Sequence, residues 1–417
     1  MKRHWRGHPL VAVGLLAVVV GVVGLSAESL LAMGGKRHEA ARTTAAAALR
    51  HGNGPEALLA EALREIGASR LGEAHEQVDR LLQATPNFRL AQLVKGDLLM
   101  SRVRPLTAPG SASGAPDERL ADLRAEALAH LQRQRLVAPA DRLPANVLRL
   151  SPEQKHAVVV DTARSTLYLF ENRDGTPHYV ADYYITIGRN GTDKAREGDK
   201  RTPLGVYHVT ANLPRNRLTD FYGSGAFPIN YPNEWDRRHG REGHGIWLHG
   251  TPSDTFSRPP RASDGCVVLT NRDLEAVGRH LQPGLTPVVI AGELNWSSQA
   301  ELAAVRGELE AAVEAWRQDW ESLRTDAYLG HYATSFAAGS AGFARWAAQK
   351  RQVNAAKSWA KVRLDDLSLF LYPGKDDLAV ATFNQDYRSS NLSSQMRKRV
   401  YWLREGGRWK IIHEDAA

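Results

Sequence analysis

The sequence predicts a multidomain chain in which a mostly β domain is preceded by an α-helical region and followed by an α+β domain. With 417 residues, the chain is too long for one ordinary core, and two or three domains are expected. The spacing of apolar residues is helical to about residue 104 and alternates from residue 156; after residue 295 it is helical, then alternates again. These changes of period predict three folded parts.

The net charge of the chain is +8 at pH 7. A basic chain favours anionic surroundings, such as nucleic acid or the polymers of the cell envelope. An arginine-rich genome would give the same excess without an anionic partner. Charge alone therefore leaves the partner open.

Residues 1–30 have the pattern of a signal anchor. A basic stretch through Arg6 precedes an apolar run from Pro9 to about Ala27 that carries no charge. A run of about 17 to 19 apolar residues is long enough for a membrane helix. Neither "LSA" nor "LLA" offers the small-x-small pattern that favours cleavage. We therefore expect an uncleaved anchor in the inner membrane with the rest of the chain in the periplasm; a cleaved segment would release the chain there.

The region 36–104 is rich in alanine and has helical periodicity. About two periods of it resemble a tetratricopeptide unit, which implies binding of a peptide or partner protein, although a helical spacer explains the pattern equally well. Residues 105–118 are crowded with proline, glycine, serine and alanine, and they predict a linker that extends to residue 150 and includes a short helix near 119–134. The helices of the first region are expected near 39–50, 55–67, 71–84 and 88–101.

Residues 151–294 read mostly as short strands, beginning with "HAVVVDTARSTLYLFENRDG". Alternating apolar residues and an Asp-Gly turn predict antiparallel pairing there. One helix is expected at 271–281, because Thr270 and Asp273 form a capping-box pattern. Further strands are expected at 204–210, 226–230, 245–249, 266–269 and 286–291.

Residues 299–417 combine helices with four alternating strands. This pattern resembles an NTF2-like (SnoaL-like) domain, whose helices and curved sheet form a cone. The resemblance implies dimerisation or docking of a partner, and a homodimer through this domain is expected. The helical part is marked by the shared face of Leu302, Val305, Leu309, Trp316, Trp320 and Leu323 and by Tyr328, Tyr332 and Phe336 at intervals of four.

Cys266 is the only cysteine in a chain expected to be exported, so it has no partner for an internal disulfide. It is either buried and inert or kept as a reactive thiol. A reactive thiol needs a base, and His249 ends a predicted strand that neighbours the strand beginning at Cys266. Gly265 lets the backbone turn beside the thiol, where the N–H groups of Asp264, Gly265 and Cys266 could converge on an oxyanion.

The segments "KRTPLGVYHV", "IWLHGTP" and "RASDGCVVL" occur in the order that is typical of the L,D-transpeptidase (YkuD) catalytic domain, and about residues 155–293 resemble that family. The resemblance implies that Cys266 is the nucleophile, that His249 is its base and that the Gly250 carbonyl orients the imidazole. Two positions depart from the family pattern, which usually has histidine at 264 and commonly arginine at 268, where this chain has Asp264 and Val268. These departures leave the choice of acyl acceptor open.

Four further residues are candidates for contact with the substrate. Tyr231 and Trp247 could line a cleft, Arg261 could meet a carboxylate of the substrate, and Ser263 belongs to the cysteine motif. Apolar core or solvated surface explains them equally well. No metal and no cofactor are expected, because His239, His244 and His249 are spaced by five and no second cysteine completes a zinc set.

The resemblance implies thioester chemistry on peptidoglycan stem peptides, giving 3–3 cross-links or attaching a protein amine. Alternatives are a cysteine amidase that releases an anchored lipoprotein or trims stems, and an envelope scaffold without catalysis. The expected partners are stem peptides, with an envelope lipoprotein or a divisome or elongasome protein as further candidates, and no nucleic acid.

Overall fold

The structure is a computed structural model that describes residues 54–105, 110, 116–135, 139, 141–338 and 341–417. The predicted anchor at 1–30, the predicted helix at 39–50 and part of the predicted linker lie outside these residues. Within the described ranges, no helix is both long enough and apolar enough to cross a membrane.

The first folded part is helical, as predicted. Helices α1 (Pro55–Gly67), α2 (Leu71–Ala84) and α3 (Arg89–Met100) enclose a core of their own, and α4 (Asp117–Arg135) packs against them. The resemblance to a tetratricopeptide unit stays a prediction. The buried core residues of these helices and their connections include Leu59, Ala74, Val78, Leu81, Phe88 and Leu90.

The helical region docks on the segment that follows His249. The Phe88 ring lies 4.6 Å from the Phe256 ring, and the Asn87 side-chain amide donates to the Ser253 carbonyl at 3.0 Å. The ring contact buries apolar surface of the segment, and the directional hydrogen bond fixes its position along the helices. The helical region therefore packs directly against the mostly β domain.

Two short strands lie within the range that the sequence assigned to a linker. Strand β1 (Arg142–Pro144) pairs with residues 296–298, and β2 (Val147–Arg149) pairs with residues 369–370 of the C-terminal sheet. The Val147 side chain is fully buried. Residues 142–149 therefore belong to the folded chain, which corrects the predicted linker.

The mostly β part contains a five-stranded sheet, a four-stranded sheet and a two-stranded sheet. Their strand orders are β5-β4-β3-β13-β7, β12-β10-β9-β8 and β11-β6. Helix α6 begins at its predicted cap, where the Thr270 hydroxyl accepts from the Asp273 N–H. The elements are β3 (His156–Asp161), β4 (Thr166–Arg173), β5 (Thr176–Tyr184), β6 (Ile187–Gly188), β7 (Gly205–His208), β8 (Leu213–Pro214), β9 (Gly225–Pro228), α5 (Glu234–Arg238), β10 (Trp247–His249), β11 (Arg261–Ser263), β12 (Val267–Val268), α6 (Asn271–Gly278) and β13 (Pro287–Ala291).

The C-terminal part is a sheet of order β2-β17-β18-β19-β20 covered by a long helix. That helix, α7 (Gln299–Glu321), begins with the reciprocal capping bonds of Ser298 and Glu301. The predicted helical face packs on the sheet, with Leu302, Leu309 and Trp316 buried, and turns at Gly374 and Gly406 join β17 to β18 and β19 to β20. The other elements are β14 (Trp296–Ser298), α8 (Thr325–Leu329), β15 (Ala337–Ala338), β16 (Ala341–Gly342), α9 (Phe343–Ala355), β17 (Ala360–Leu371), β18 (Leu378–Ser389), β19 (Leu392–Glu405) and β20 (Arg408–Ala416).

A buried ion pair joins the last two parts. The guanidinium of Arg399 lies 3.1 Å from the Glu234 carboxylate, and the Tyr401 hydroxyl donates to the same carboxylate at 3.3 Å. Burial raises the pKa of Glu234, but Arg399 outweighs this effect and holds the pKa below its usual value. The ion pair is therefore a strong link between the two domains.

We expect Arg399→Ala to lower the free energy of unfolding by about 3–5 kcal/mol at neutral pH, because it leaves the Glu234 carboxylate buried without its cation. Urea denaturation measures this change, and the loss should shrink at acidic pH, where Glu234 can take up a proton. The control is Arg388→Ala, since Arg388 pairs with Asp386 on the exposed face and should contribute less than about 1 kcal/mol. Equal losses in the two variants would contradict the link.

Candidate active site

Strands β10 and β12 run side by side in parallel; His249 ends β10, and Cys266 directly precedes β12. Their register pairs Leu248 with Val267 and His249 with Val268. Leu248 and Val267 point into the core, and side chains alternate along a strand, so His249 and Val268 lie on the opposite face. Cys266 stands two residues before Val268, so continuing the alternation one residue beyond β12 puts its side chain on the His249 face. The fold thus brings the imidazole and the thiol to one side of the sheet.

The imidazole of His249 is buried and held by the next residue. Its Nδ1 lies 2.7 Å from the Gly250 carbonyl oxygen. A carbonyl can only accept, so Nδ1 carries the proton and Nε2 keeps its lone pair. Burial, aided by the positive charge of Arg258, lowers the pKa of His249 to about 4. The ring is therefore a neutral base at physiological pH.

The Cys266 thiol is also neutral. Its Sγ donates to the Gly245 carbonyl at 3.3 Å. Burial raises the pKa of Cys266 to about 11, and the charge of Asp264 adds to this, against a smaller opposing effect from a hydrogen bond with the Trp247 backbone and from Arg258. The thiol and the imidazole are thus both uncharged, so an attack of Sγ on a carbonyl must be coupled to transfer of the thiol proton.

The glycine before the thiol is required by its surroundings. Gly265 has φ 125°, and a Cβ there would lie 2.7 Å from the Arg201 carbonyl oxygen. Thr202 also holds this turn in place, because its hydroxyl donates to the Gly265 carbonyl at 2.9 Å and accepts from the Gly188 N–H at 2.9 Å. The Thr-Pro-Leu-Gly segment found in the sequence therefore holds the cysteine loop.

The cysteine loop differs in two respects from the sequence prediction. Ser263 is buried, and its hydroxyl donates to the Cys266 carbonyl and accepts from the Gly265 N–H. The Gly265 N–H is therefore engaged within the loop instead of facing an oxyanion, and Ser263 supports the loop instead of binding substrate. Asp264 points to solvent, where the nearest cation is Lys200 at 3.8 Å.

Two family models match the chain. The L,D-transpeptidase catalytic domain (YkuD) matches residues 155–290, and the Cds6 C-terminal NTF2-like domain matches residues 308–415. The mostly β part is an L,D-transpeptidase domain. The resemblances of the mostly β part and of the C-terminal part to these two families are confirmed.

Known proteins are similar to parts of the chain. YafK of Escherichia coli, which is named as an L,D-transpeptidase, is 34% identical over 107 residues, covering 25% of this chain and 38% of YafK. The chain thus spans about 38% of the length of the curated relatives it matches. Bd1075 of Bdellovibrio bacteriovorus has 30% identity and a TM-score of 0.58, covering 66% of this chain and 98% of Bd1075. Pgp2 of Campylobacter jejuni, described as a helical cell shape determining protein, has 25% identity and a TM-score of 0.56, covering 65% of this chain and 95% of Pgp2.

Aromatic rings flank the His249 imidazole in the L,D-transpeptidase domain. The Tyr222 ring lies 5.2 Å from the His249 ring and 4.8 Å from the Trp247 ring, and the Phe221 ring lies 5.8 Å from His249. The Gly250 N–H donates to the Tyr222 carbonyl at 3.1 Å, which fixes this segment beside the imidazole. Trp247 is half-buried in this cluster, whereas sequence analysis missed Phe221 and Tyr222, which lie outside the family motifs.

Tyr231 and Arg261, two of the predicted substrate contacts, differ in exposure. Tyr231 lies in the core, and its hydroxyl donates to the Glu242 carbonyl at 3.0 Å, so its prediction as a cleft residue is wrong. Arg261 is exposed on strand β11. The arginine whose positive charge contributes to the pKa shifts of both Cys266 and His249 is Arg258, which sequence analysis did not single out. In the part of the chain that the structure describes, no three histidine, cysteine or acidic side chains are grouped to hold a metal.

The uncharged thiol predicts a distinctive pH dependence of alkylation. Because the pKa of Cys266 is about 11, only about one thiol in 10⁴ is ionised at pH 7. We expect the rate of modification by iodoacetamide to rise about tenfold per pH unit from pH 6 to 9 without a plateau. Removing the neighbouring negative charge in Asp264→Asn should shift this rise to lower pH. A plateau near neutral pH, as a thiolate paired with imidazolium would give, would contradict the uncharged pair.

Proposed function

We propose that this chain is a peptidoglycan L,D-transpeptidase that acts through a thioester on Cys266. The substrate is the tetrapeptide stem, and the bond broken joins diaminopimelate to D-alanine. Nε2 of His249 takes the thiol proton as Sγ attacks the diaminopimelate carbonyl, and it then gives that proton to the amine of the departing D-alanine. The observation that carries the proposal is the neutral imidazole, oriented by Gly250, on the same sheet face as the thiol.

The group that takes the acyl chain decides the product. The diaminopimelate amine of a second stem would give a 3–3 cross-link, and a lysine amine of an envelope lipoprotein would give an anchored protein. Water would leave a trimmed stem, and reversal of the anchoring step would release lipoprotein. Asp264 is exposed beside the thiol, where its carboxylate would attract the protonated form of an amine acceptor; the amine must then lose a proton, to Nε2 of His249, before it attacks the thioester.

The proposed setting is the periplasm, with residues 1–30 as an anchor in the inner membrane. Pgp2, which shares the fold over 65% of this chain, is described as determining helical cell shape. We extend this to a role for the present chain in cell-wall organisation and cell shape. The NTF2-like domain is proposed to form a homodimer or to dock an envelope or divisome protein.

The test is incubation of the full-length chain with disaccharide tetrapeptides. Mass spectrometry is expected to detect free D-alanine and an acyl group on the peptide that contains Cys266. Adding a second stem, a lysine peptide or neither separates cross-linking, protein attachment and hydrolysis by product mass. A folded chain that forms no adduct and releases no D-alanine would favour the scaffold alternative.

A further inference from the structure

The guanidinium of Arg258 is near enough to the thiol to lower its pKa, and it makes no ion pair with an acidic side chain of the described residues. Its Cζ sits 5.1 Å from the centre of the Phe221 ring, and that ring lies 5.8 Å from the His249 ring. Among the described residues, no carboxylate forms an ion pair or hydrogen bond with this side chain. The acidic groups that raise its pKa, Asp264 and Asp254, act at longer range. The side chain is half-buried, so water compensates its charge only in part.

The backbone of Arg258 is held from two sides. Its carbonyl accepts from the Tyr184 hydroxyl at 2.8 Å and from the Thr186 hydroxyl at 3.0 Å. The preceding Ser257 donates its hydroxyl to the buried carboxylate of Glu126 in helix α4. The main chain at Arg258 is therefore fixed by the sheet and by the helical region, while its charged end stays unpaired. Such pre-organisation lowers the entropy lost when an anion binds.

We propose that Arg258 binds the free carboxylate of the substrate residue that leaves as D-alanine. This inference rests on the proposed function, because the carboxylate of that residue lies next to the bond that Cys266 attacks. A substrate held by its carboxylate at Arg258 places the scissile carbonyl over the thiol. Burial lowers the pKa of Arg258, in keeping with a cation that lacks a counter-ion until substrate arrives.

Arg261 is the competing candidate, since it lies in the same segment and carries the same charge. It is exposed and belongs to strand β11, which pairs with β6. An exposed arginine is already solvated and gains less from a carboxylate than a half-buried one does. The structure therefore assigns carboxylate recognition to Arg258, three residues earlier.

The experiment compares two ligands that differ only at the carboxylate: the tetrapeptide stem with a free C-terminal acid and the same stem with a C-terminal carboxamide. Binding is measured by calorimetry on the full-length Cys266→Ala chain, so that no turnover is needed. We expect the acid to bind roughly 10- to 100-fold more tightly than the amide, as a charge-assisted hydrogen bond predicts. Adding Arg258→Ala should bring this ratio to about 1, and Arg258→Lys should restore part of it.

Further variants decide between the alternatives. Arg345→Ala removes an exposed arginine in helix α9 and should leave the acid-to-amide ratio unchanged. If Arg258→Ala lowers the stability of the fold, Arg258→Gln keeps most of its volume and takes its place. A ratio that survives in Arg258→Ala, or that is lost in Arg261→Ala instead, overturns the proposal.

The outcomes also separate this proposal from the proposed reaction. Carboxylate-dependent binding that requires Arg258, in a wild-type chain that releases no D-alanine, supports Arg258 and rejects the transpeptidase reaction. Release of D-alanine at the same rate from wild type and Arg258→Ala rejects Arg258 alone. Absence of any stem binding rejects both.

Discussion

The Cys266→Ala variant is expected to release D-alanine from tetrapeptide stems no faster than the uncatalysed background, a loss of at least about 10⁴-fold. Cys266 is the only cysteine of the chain, so no second thiol can replace it. The measurement is chromatography of released D-alanine, with binding of the stem showing that the variant is folded. Cys266→Ser is the matched control, because serine has nearly the same shape as cysteine. Its hydroxyl should restore little activity, since a hydroxyl is harder to deprotonate than a thiol and the pKa of His249 is low.

Release of D-alanine also tests the role of His249 as the base. His249→Ala should lower the rate by about 10² to 10⁴-fold, since proton transfer from a neutral thiol needs an acceptor. The double variant should be no slower than Cys266→Ala alone, because the two residues act as a unit. Turnover that survives in Cys266→Ala, or an additive loss in the double variant, would reject their assignment as nucleophile and base.

The parts of the fold that sequence analysis found are those with strong local signals. The turns of the C-terminal sheet contain Gly374 and Gly406, which adopt positive φ, and the strands between them alternate clearly. Helix α6 starts at Thr270, where the cap is local to four residues. His249 and Cys266 were found because each lies in a short motif at a strand end, and motifs need no knowledge of distant contacts.

What the sequence could not reveal depends on residues far apart in the chain. Strand β2 has only three residues and pairs with a strand that lies more than 200 residues later, so no periodicity marks it. The loop of Arg258 is held by Tyr184 and, through Ser257, by Glu126, and neither contact is visible in the local sequence. Tyr231 was placed in a cleft from its motif, yet its hydroxyl finds a carbonyl partner in the core. Long-range packing decided each of these positions.

Gly265→Ala is expected to cost at least about 100-fold in turnover without unfolding the domain. At φ 125° the backbone occupies a region that is almost reserved for glycine, which adds a strain of about 1–3 kcal/mol. The new Cβ would lie 2.7 Å from the Arg201 carbonyl oxygen, a backbone atom, so the loop itself must shift. A shift of about 1 Å beside a nucleophile is enough for a loss of about 10² in rate.

The matched control is Gly284→Ala, because Gly284 also has a positive φ of 82° but no atom within 4 Å of the added Cβ. It should carry a similar backbone strain while leaving turnover within about twofold. Urea denaturation gives the stability of both variants, and D-alanine release gives their activity. The Thr202 hydroxyl also donates to the Gly265 carbonyl, so a displaced loop has to move this hydrogen bond together with the thiol. Equal activity in the two variants would mean that the turn at Gly265 does not position Cys266.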